Sequence, residues 1–552
     1  MKTASTSALT RLLESSPLRN PAFRTFYFGS IGVALGYTMQ ATVAAWLMTT
    51  LTPSPLMVAL VQTASTAPTL LFGLVAGTLA DIVNRQRIIV VTLLVMVIAA
   101  LILGAATIFD VTGPIALLSL TFIIGIGFTF YLPTQQASVH GLVSRTELPG
   151  AVALNAVAFN VARAAGPALA GAIAAWVGIG VAFVVGALAF TGMLIALRRW
   201  KGHERPLPGV PERLLSGVGS GLRYARHSIA MRSLIIRTLS FAVCASAFWA
   251  LLPVIARDQL GLGAGGFGML SAAFGTGAVV SALAIPRQLQ TRPLNAVVTY
   301  GVLLWTLATV LIAVTDITAI ALVGAFCAGI AWVSVLASLS AGTQSSAPAW
   351  VRARAVAMNI VAVQASLAIG SALWGALATV VGTHIALGAS AGLVVILSLL
   401  HRRVRVAMGE EADVTTGVQL PDMAIHEEPL PDDGPVLIQI EYQIEPENRG
   451  AFLRAIHAVE ATRRRNGATS WRVFRDLGEK GRIVERYIIA SWAEYIRLRS
   501  RMTMADRKLQ ERVLELQREG VPVRISRFIG VTSFDDDPES TDEQSEPLSA
   551  LP

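Results

Sequence analysis

The chain has 552 residues, 54% of them hydrophobic and only 14% charged, with a mean hydropathy of +0.60; soluble globular proteins carry about 25% charged residues, so a mostly water-soluble protein is excluded. The net charge of +9 is no argument for nucleic acid, because in a membrane chain Lys and Arg first serve to hold loops on the cytoplasmic side, and no nucleic-acid partner is expected. The only cysteines, Cys244 and Cys327, fall in apolar runs and read as small core residues, which leaves neither a disulfide framework nor a cysteine metal site.

In chain order, residues 1–24 form a polar arm without the apolar run and small-residue cleavage site of a secretory signal, so the arm is expected to stay in the cytoplasm. A helix needs about 20 apolar residues to cross the hydrocarbon. Twelve runs meet that length approximately: 25–50, 56–80, 88–109, 114–137, 150–175, 179–198, 233–256, 264–286, 293–314, 317–340, 354–380 and 384–401. Breaks such as "LTPSP" and "DVTGP" separate them. Six spans make an N-terminal half, 25–198, and six a C-terminal half, 233–405, with a polar loop, 199–232, between them. Residues 406–431 are acidic and prolyl, a linker. Residues 432–533 alternate strand and helix patterns in the order β-α-β-β-α-β, with one long helix over 493–517, and residues 534–552 form an acidic, disordered tail.

Lys and Arg concentrate in alternate connections: Lys2, Arg11, Arg19 and Arg24 in the arm, Arg85 and Arg87, Arg145, the central loop, Arg287 and Arg292, Arg352 and Arg354, and the run after 401. The other connections offer Arg257 alone. The positive-inside rule then puts both termini in the cytoplasm of a multi-pass protein of the cell inner membrane.

The halves share a repeat. Residues 151–178, "AVALNAVAFNVARAAGPALAGAIAAWVG", align without gaps onto 355–382, "AVAMNIVAVQASLAIGSALWGALATVVG", with 15 of 28 positions identical, among them Asn155 with Asn359, Gly166 with Gly370 and Gly171 with Gly375. A shared Thr-Gln lies upstream in each half, Thr134-Gln135 and Thr343-Gln344. Transporters are commonly built from such internal repeats.

Between the second and third spans stands "GTLADIVNRQR". It resembles the loop signature of the major facilitator superfamily, Gly-x-Leu-Ala-Asp-x-x-Gly-Arg-x-Arg/Lys. Gly77, Leu79, Ala80, Asp81, Arg85 and Arg87 match, and Asn84 stands where the family prefers glycine, a mild change because Asn tolerates left-handed backbone angles. The resemblance implies a conformational latch at Gly77, Asp81, Arg85 and Arg87, engaging the neighbouring half in the outward-open state. "VARAAGPALAG" is similar to the superfamily's antiporter motif, Gly-Pro-x-x-Gly-Gly, through Gly166, Pro167 and Gly171. Small residues permit close helix contact and proline a bend; in the family this pattern accompanies exporters.

Arg163 is the sole unambiguous charge deep in a span, and a membrane-embedded arginine, which costs at least a few kcal/mol, should face a wet cavity. With Gln40, Asn155, Asn160 and Gln364 it forms the candidate substrate or coupling set. No Asp or Glu lies deep in a span, so a proton-carrying carboxylate is not visible. The tail resembles the antibiotic-biosynthesis monooxygenases, dimeric ferredoxin-like modules, and similar tails occur in the siderophore-exporter-like branch of the superfamily. Within the tail, His457 has no metal or catalytic companion, and Arg463–Arg465 read as a solvated helix face.

The expectation is therefore an all-α membrane protein of twelve transmembrane helices in two pseudo-symmetric halves, plus a small α+β ferredoxin-like soluble domain. It would export a small molecule by alternating access, with a proton as the coupling ion, the bilayer as its medium, no cofactor or metal, and dimerisation through the C-terminal domain. A solute importer of the same fold and a membrane-tethered oxygenase or regulatory protein are the alternatives.

Overall fold

A computed structural model describes residues 17–144, 147–198, 222–348, 350–401, 406, 408–409, 414–415 and 429–530. The first sixteen residues, Arg145, most of the central loop and linker, and the acidic tail lie outside these. The chain divides into two compact units: 1–214 with 233–345 and 353–408, and 215–232 with 346–352 and 409–552.

The helices of the first unit are α1 Pro21–Leu51, α2 Pro55–Ile82, α3 Arg85–Ile108, α4 Pro114–Leu142, α5 Leu148–Trp176 and α6 Ile179–Arg198, then α7 Ile229–Val254, α8 Ala264–Thr291, α9 Leu294–Val314, α10 Thr318–Ser346, α11 Arg352–Val381 and α12 Thr383–Leu400, save that Ile229–Arg232 of α7, Ser346 of α10 and Arg352 of α11 belong to the second. Among the described residues, eleven helices are long and apolar enough to cross a membrane. The expected span at 150–175 is the 29-residue α5, several of whose side chains lie outside the described set and which is not among the eleven. Proline opens α1, α2 and α4 at the first turn, where its missing N–H has no partner to lose. Helix α7 starts at Ile229, earlier than expected, and continues as one π turn, Ile255–Gln259, which holds the side-by-side Arg257–Asp258 pair.

Asn84 is not in the left-handed region. Its φ is −51° and ψ 113°, and its side chain accepts the Arg87 N–H at 3.0 Å, capping α3. Asn84→Ala is therefore expected to lower stability by about 1 kcal/mol and Asn84→Gly by only a few tenths, measured as the thermal midpoint of the detergent-solubilised chain.

In the second unit, β1 Val436–Gln443, α13 Arg449–Asn466, β2 Ala468–Arg475, β3 Arg482–Ile489, α14 Trp492–Arg501, α15 Met504–Leu514 and β4 Arg524–Ile529 follow one another. The sheet order is β2-β3-β1-β4, every neighbour antiparallel. Alternation along β1 buries Val436, Ile438, Ile440 and Tyr442 against α13–α15. The helix expected over 493–517 is two helices. Thr503 accepts the Asp506 N–H, and Asp506 accepts the Thr503 N–H at 3.0 Å, a reciprocal cap that starts α15 afresh.

Candidate functional site

The repeat places equivalent glycines at equivalent contacts. A Cβ at Gly166 would strike Thr38 of α1, and one at Gly370 would strike Ser246 of α7, so each fifth helix presses on the first helix of its own half. Gly171 and Gly375 reach across the halves. A Cβ at Gly171 would lie 2.7 Å from Gly268 Cα and 2.9 Å from the Ala264 carbonyl of α8, and one at Gly375 would strike Ala59 of α2. The Thr63 hydroxyl donates to the Ala368 carbonyl at 2.8 Å beside the second contact. Trp46 of α1 stacks on Phe267 of α8 at 5.8 Å. These contacts share one end of the bundle, where α2 and α8 begin, α5 and α11 finish, and Arg257 sits.

Pro167 cannot donate to the Arg163 carbonyl. That carbonyl lies against Gly275 of α8, while the Thr38 hydroxyl donates to the neighbouring Ala162 carbonyl at 3.0 Å. At 3.6 residues per turn, Arg163 projects between the α1-facing side of α5, at Gly166, and its α8-facing side, at Ala164 and Gly171. The opposite side carries the exposed Val161 and Leu169. The guanidinium thus faces the space between the halves, half-buried, with its carbon 5.4 Å from the Phe159 ring centre.

The other candidates are dispersed. Asn155 accepts from Gln135 of α4 at 3.4 Å, and Gln135 also donates to Ser30 of α1 at 3.1 Å, a polar seam among three helices. Its counterpart Asn359 accepts from Thr238 of α7 at 3.0 Å. Gln40 is buried between α1 and α6, donating to the Phe183 carbonyl at 2.7 Å. Asn160 and Gln364 are half-buried on α5 and α11 at matching repeat positions. In the loop signature, Gly77 meets open space, Asp81 ends α2 with its side chain outside the described set, and Arg87 is exposed. Arg85 donates to the Ala80 and Ala137 carbonyls, both 3.2 Å away, within its own half.

Arg163 is not the only charge inside a helix of this unit. Arg237, two turns into α7, is 6% exposed and donates to the His401 carbonyl at 2.8 Å and to Asn295 at 3.3 Å, tying α7 to α9 and α12. Because the sequence pattern starts the span at 233, Arg237 reads as an edge residue there.

A family model described as transmembrane secretion effector matches residues 13–534. The chain belongs to that family. Its fold is that of the major facilitator transporters. A bacterial homolog of the human lysosomal transporter Spinster, inward-facing and unoccupied, matches with a TM-score of 0.58 at 15% identity, covering 70% of this chain and 97% of that one. A variant of the nucleoside transporter NupG matches at 0.58 and 13%, covering 69% and 99%. A bacterial homologue of the iron transporter ferroportin in its inward-facing state matches at 0.54 and 13%, covering 70% and 98%. No protein of curated function matches the sequence. The secretion effector is a transporter and not an enzyme.

The second unit of this secretion effector carries charges that the sequence reading put at the surface. Arg463 is 4% exposed, on the face of α13 that holds Phe452, Ile456 and Val459, and it pairs with the fully buried Glu485 of β3 at 3.0 Å. Arg465 pairs with Asp506. The signal was available: alternation along "RIVERYII" turns Glu485 inward with Ile483 and Tyr487, and helical spacing turns Arg463 toward it.

Glu494 of α14 binds Arg501 at 2.8 Å, Arg497 at 3.0 Å and Arg223 at 3.2 Å. Arg501 lies 4.3 Å over Trp350, which Tyr224 meets edge-on. Segments 222–232 and 346–352, which lead into α7 and α11, are thereby part of this unit. Burial acts to raise the Glu494 pKa, but Arg501 and Arg497 outweigh it and hold the carboxyl below its ordinary value. A lowered folded-state pKa means that the stabilisation is complete above about pH 4.3, the unfolded value, and is lost as pH falls below it through the folded value. The melting midpoint of this unit should therefore drop on acidification in the wild-type chain, and Glu494→Gln should start low and drop less. An equal drop in both would assign the transition to another group.

Proposed function

We propose that this chain is a secondary active exporter of a small molecule, drug, siderophore or secondary metabolite, working by alternating access in the inner membrane. The observation that carries the reading is the pairing of Gly171 with α8 and Gly375 with α2 at one end of two repeated halves, with Arg163 facing the space between them. Glycine contacts of this kind can part and re-form as the halves rock. With α5 counted, the spans number twelve, and the arginine-rich end lies in the cytoplasm by the positive-inside rule. The Arg257 end, closed by these contacts, is then external, as an inward-facing state requires. Arg85, held within its own half, fits a latch released in that state. Antiport against protons supplies the driving force, since no phosphate-binding loop is present in the sequence.

The sheet order and antiparallel pairing of the second unit support a ferredoxin-like fold of the siderophore-exporter type. Its uncovered sheet face bears Phe474 and Phe528, 44% and 50% exposed, and this face serves dimerisation.

Efflux from cells expressing the chain, with and without a protonophore, tests the reading. Outward flux of dyes or siderophores that collapses with the proton gradient is expected; gradient-independent or inward flux would overturn it in favour of an importer.

A further inference from the structure

The export reading leaves open what Arg163 binds, and the inference below rests on that reading. Between residues 25 and 401, apart from Glu204 and Glu212 of the central loop, the only carboxylates are Asp81, Asp110, Glu147, Asp258 and Asp316. All five stand at helix ends or in the connections between helices. Arg163 lies 15 residues beyond Leu148 and 13 before Trp176 on α5, so at 1.5 Å per residue about 20 Å of helix separates it from either end. Among the described residues it makes no ion pair; its one close partner is the Phe159 ring. Arg237 differs, because its guanidinium donates to the His401 carbonyl and to the Asn295 amide oxygen.

The repeat argues that the charge is not needed to build the helix. Position 163 aligns with Leu367, which is buried at the same place in α11, while the flanking Asn155, Ala164, Gly166 and Gly171 all recur. One half therefore carries a guanidinium where the other carries a packed leucine. An embedded charge without a counter-charge is costly. Guanidinium, planar and permanently charged, matches two-oxygen anions in bidentate geometry.

We propose that the transported solute is an organic anion whose carboxylate-like group pairs with Arg163 at the middle of the bundle, its apolar body lying along Phe159. A lipophilic cation meets a repelling charge there and no carboxylate to hold it.

The test reconstitutes the full chain in neutral phosphatidylcholine vesicles, so that no anionic lipid competes for Arg163, and follows fluorescein and rhodamine 6G, an anion and a cation on the same xanthene ring system. The wild type should move fluorescein in preference. Arg163→Gln should slow it by about tenfold or more, the loss of one charge-assisted pair worth roughly 1.5–3 kcal/mol. Arg163→Lys should retain part of the flux. Arg163→Glu, which a purely structural role would not reward, should gain rhodamine transport. Preference of the wild type for rhodamine, or fluorescein flux unchanged in a monodisperse Arg163→Gln protein, would overturn the anion assignment and leave the transporter standing. Movement of neither dye by the folded wild type would overturn the export reading on which the assignment depends.

Discussion

Gly171→Leu is expected to abolish transport while the chain still folds and enters the membrane. With only hydrogen at Gly171, α5 and α8 approach so closely that a Cβ would already sit 2.7 Å from Gly268 Cα. The three nearest atoms, Gly268 Cα and N and the Ala264 carbonyl oxygen, all belong to backbone, so no side chain can swing away. Overpacking by extra methylenes costs about 1–3 kcal/mol, and a leucine forced against backbone falls at or above the top of that range. The penalty applies only to the state in which this end is shut. About 3 kcal/mol corresponds to roughly 150-fold in the equilibrium between states, enough to hold the halves in the opposite conformation. Transport needs both states, so flux should fall by a similar factor. Gly375→Leu, at the equivalent contact with α2, should act alike. Surface abundance measured beside flux separates this outcome from misfolding.

The second large effect concerns Glu485. Its carboxylate accepts from Arg463 at 3.0 Å, from the Tyr442 hydroxyl at 3.1 Å and from the Trp471 indole at 2.9 Å, with no exposure to solvent. Burial opposes the Arg463 charge, and Glu485 more than offsets it. Glu485→Ala leaves that guanidinium buried without a counter-charge, which costs about 3–5 kcal/mol, a large share of the stability of a small domain. Amides of β1–β4 in the full chain should then exchange with deuterium more than a hundredfold faster, while α1–α12, in the other unit, stay as protected as before. Replacing Glu485 and Arg463 together by apolar residues of similar volume should recover most of the loss. Unchanged exchange in Glu485→Ala would show that the pair contributes nothing to the fold.

What was legible in the sequence followed from strong periodic signals. Membrane spans announce themselves by length and apolarity, and the repeat by paired Asn and Gly; Gly166 and Gly370 each meet the first helix of their own half, and Gly171 and Gly375 each meet the second helix of the other half, so the paired glycines have matching jobs. Arg163 was legible because an arginine among apolar residues has few explanations. Arg237 was not, since a start four residues later than that of α7 leaves it near the edge of the expected span. Gln40 shows a different limit: composition marks it as polar in a span, but only the fold reveals that α6 lies close enough for its amide to meet the Phe183 carbonyl. Asn84 was judged by its backbone tolerance, whereas its side chain is used as a cap. In the tail, the Arg463–Glu485 pair required strand and helix faces to be read together, and the break at Thr503 required reading a Thr-x-x-Asp box inside an otherwise continuous helical pattern.

The most direct test of alternating access around a shared midplane site needs no substrate. Spin labels at Val177 and Val380, exposed on opposite halves at the Arg257 end, and at Val83 and Leu400, exposed on opposite halves at the arginine-rich end, report the two separations by pulsed electron resonance. Between wild type and Gly171→Leu, the Val177–Val380 distance should lengthen and the Val83–Leu400 distance shorten. Unchanged distances, or both changing in the same sense, would contradict a rocking exchange between two closed ends.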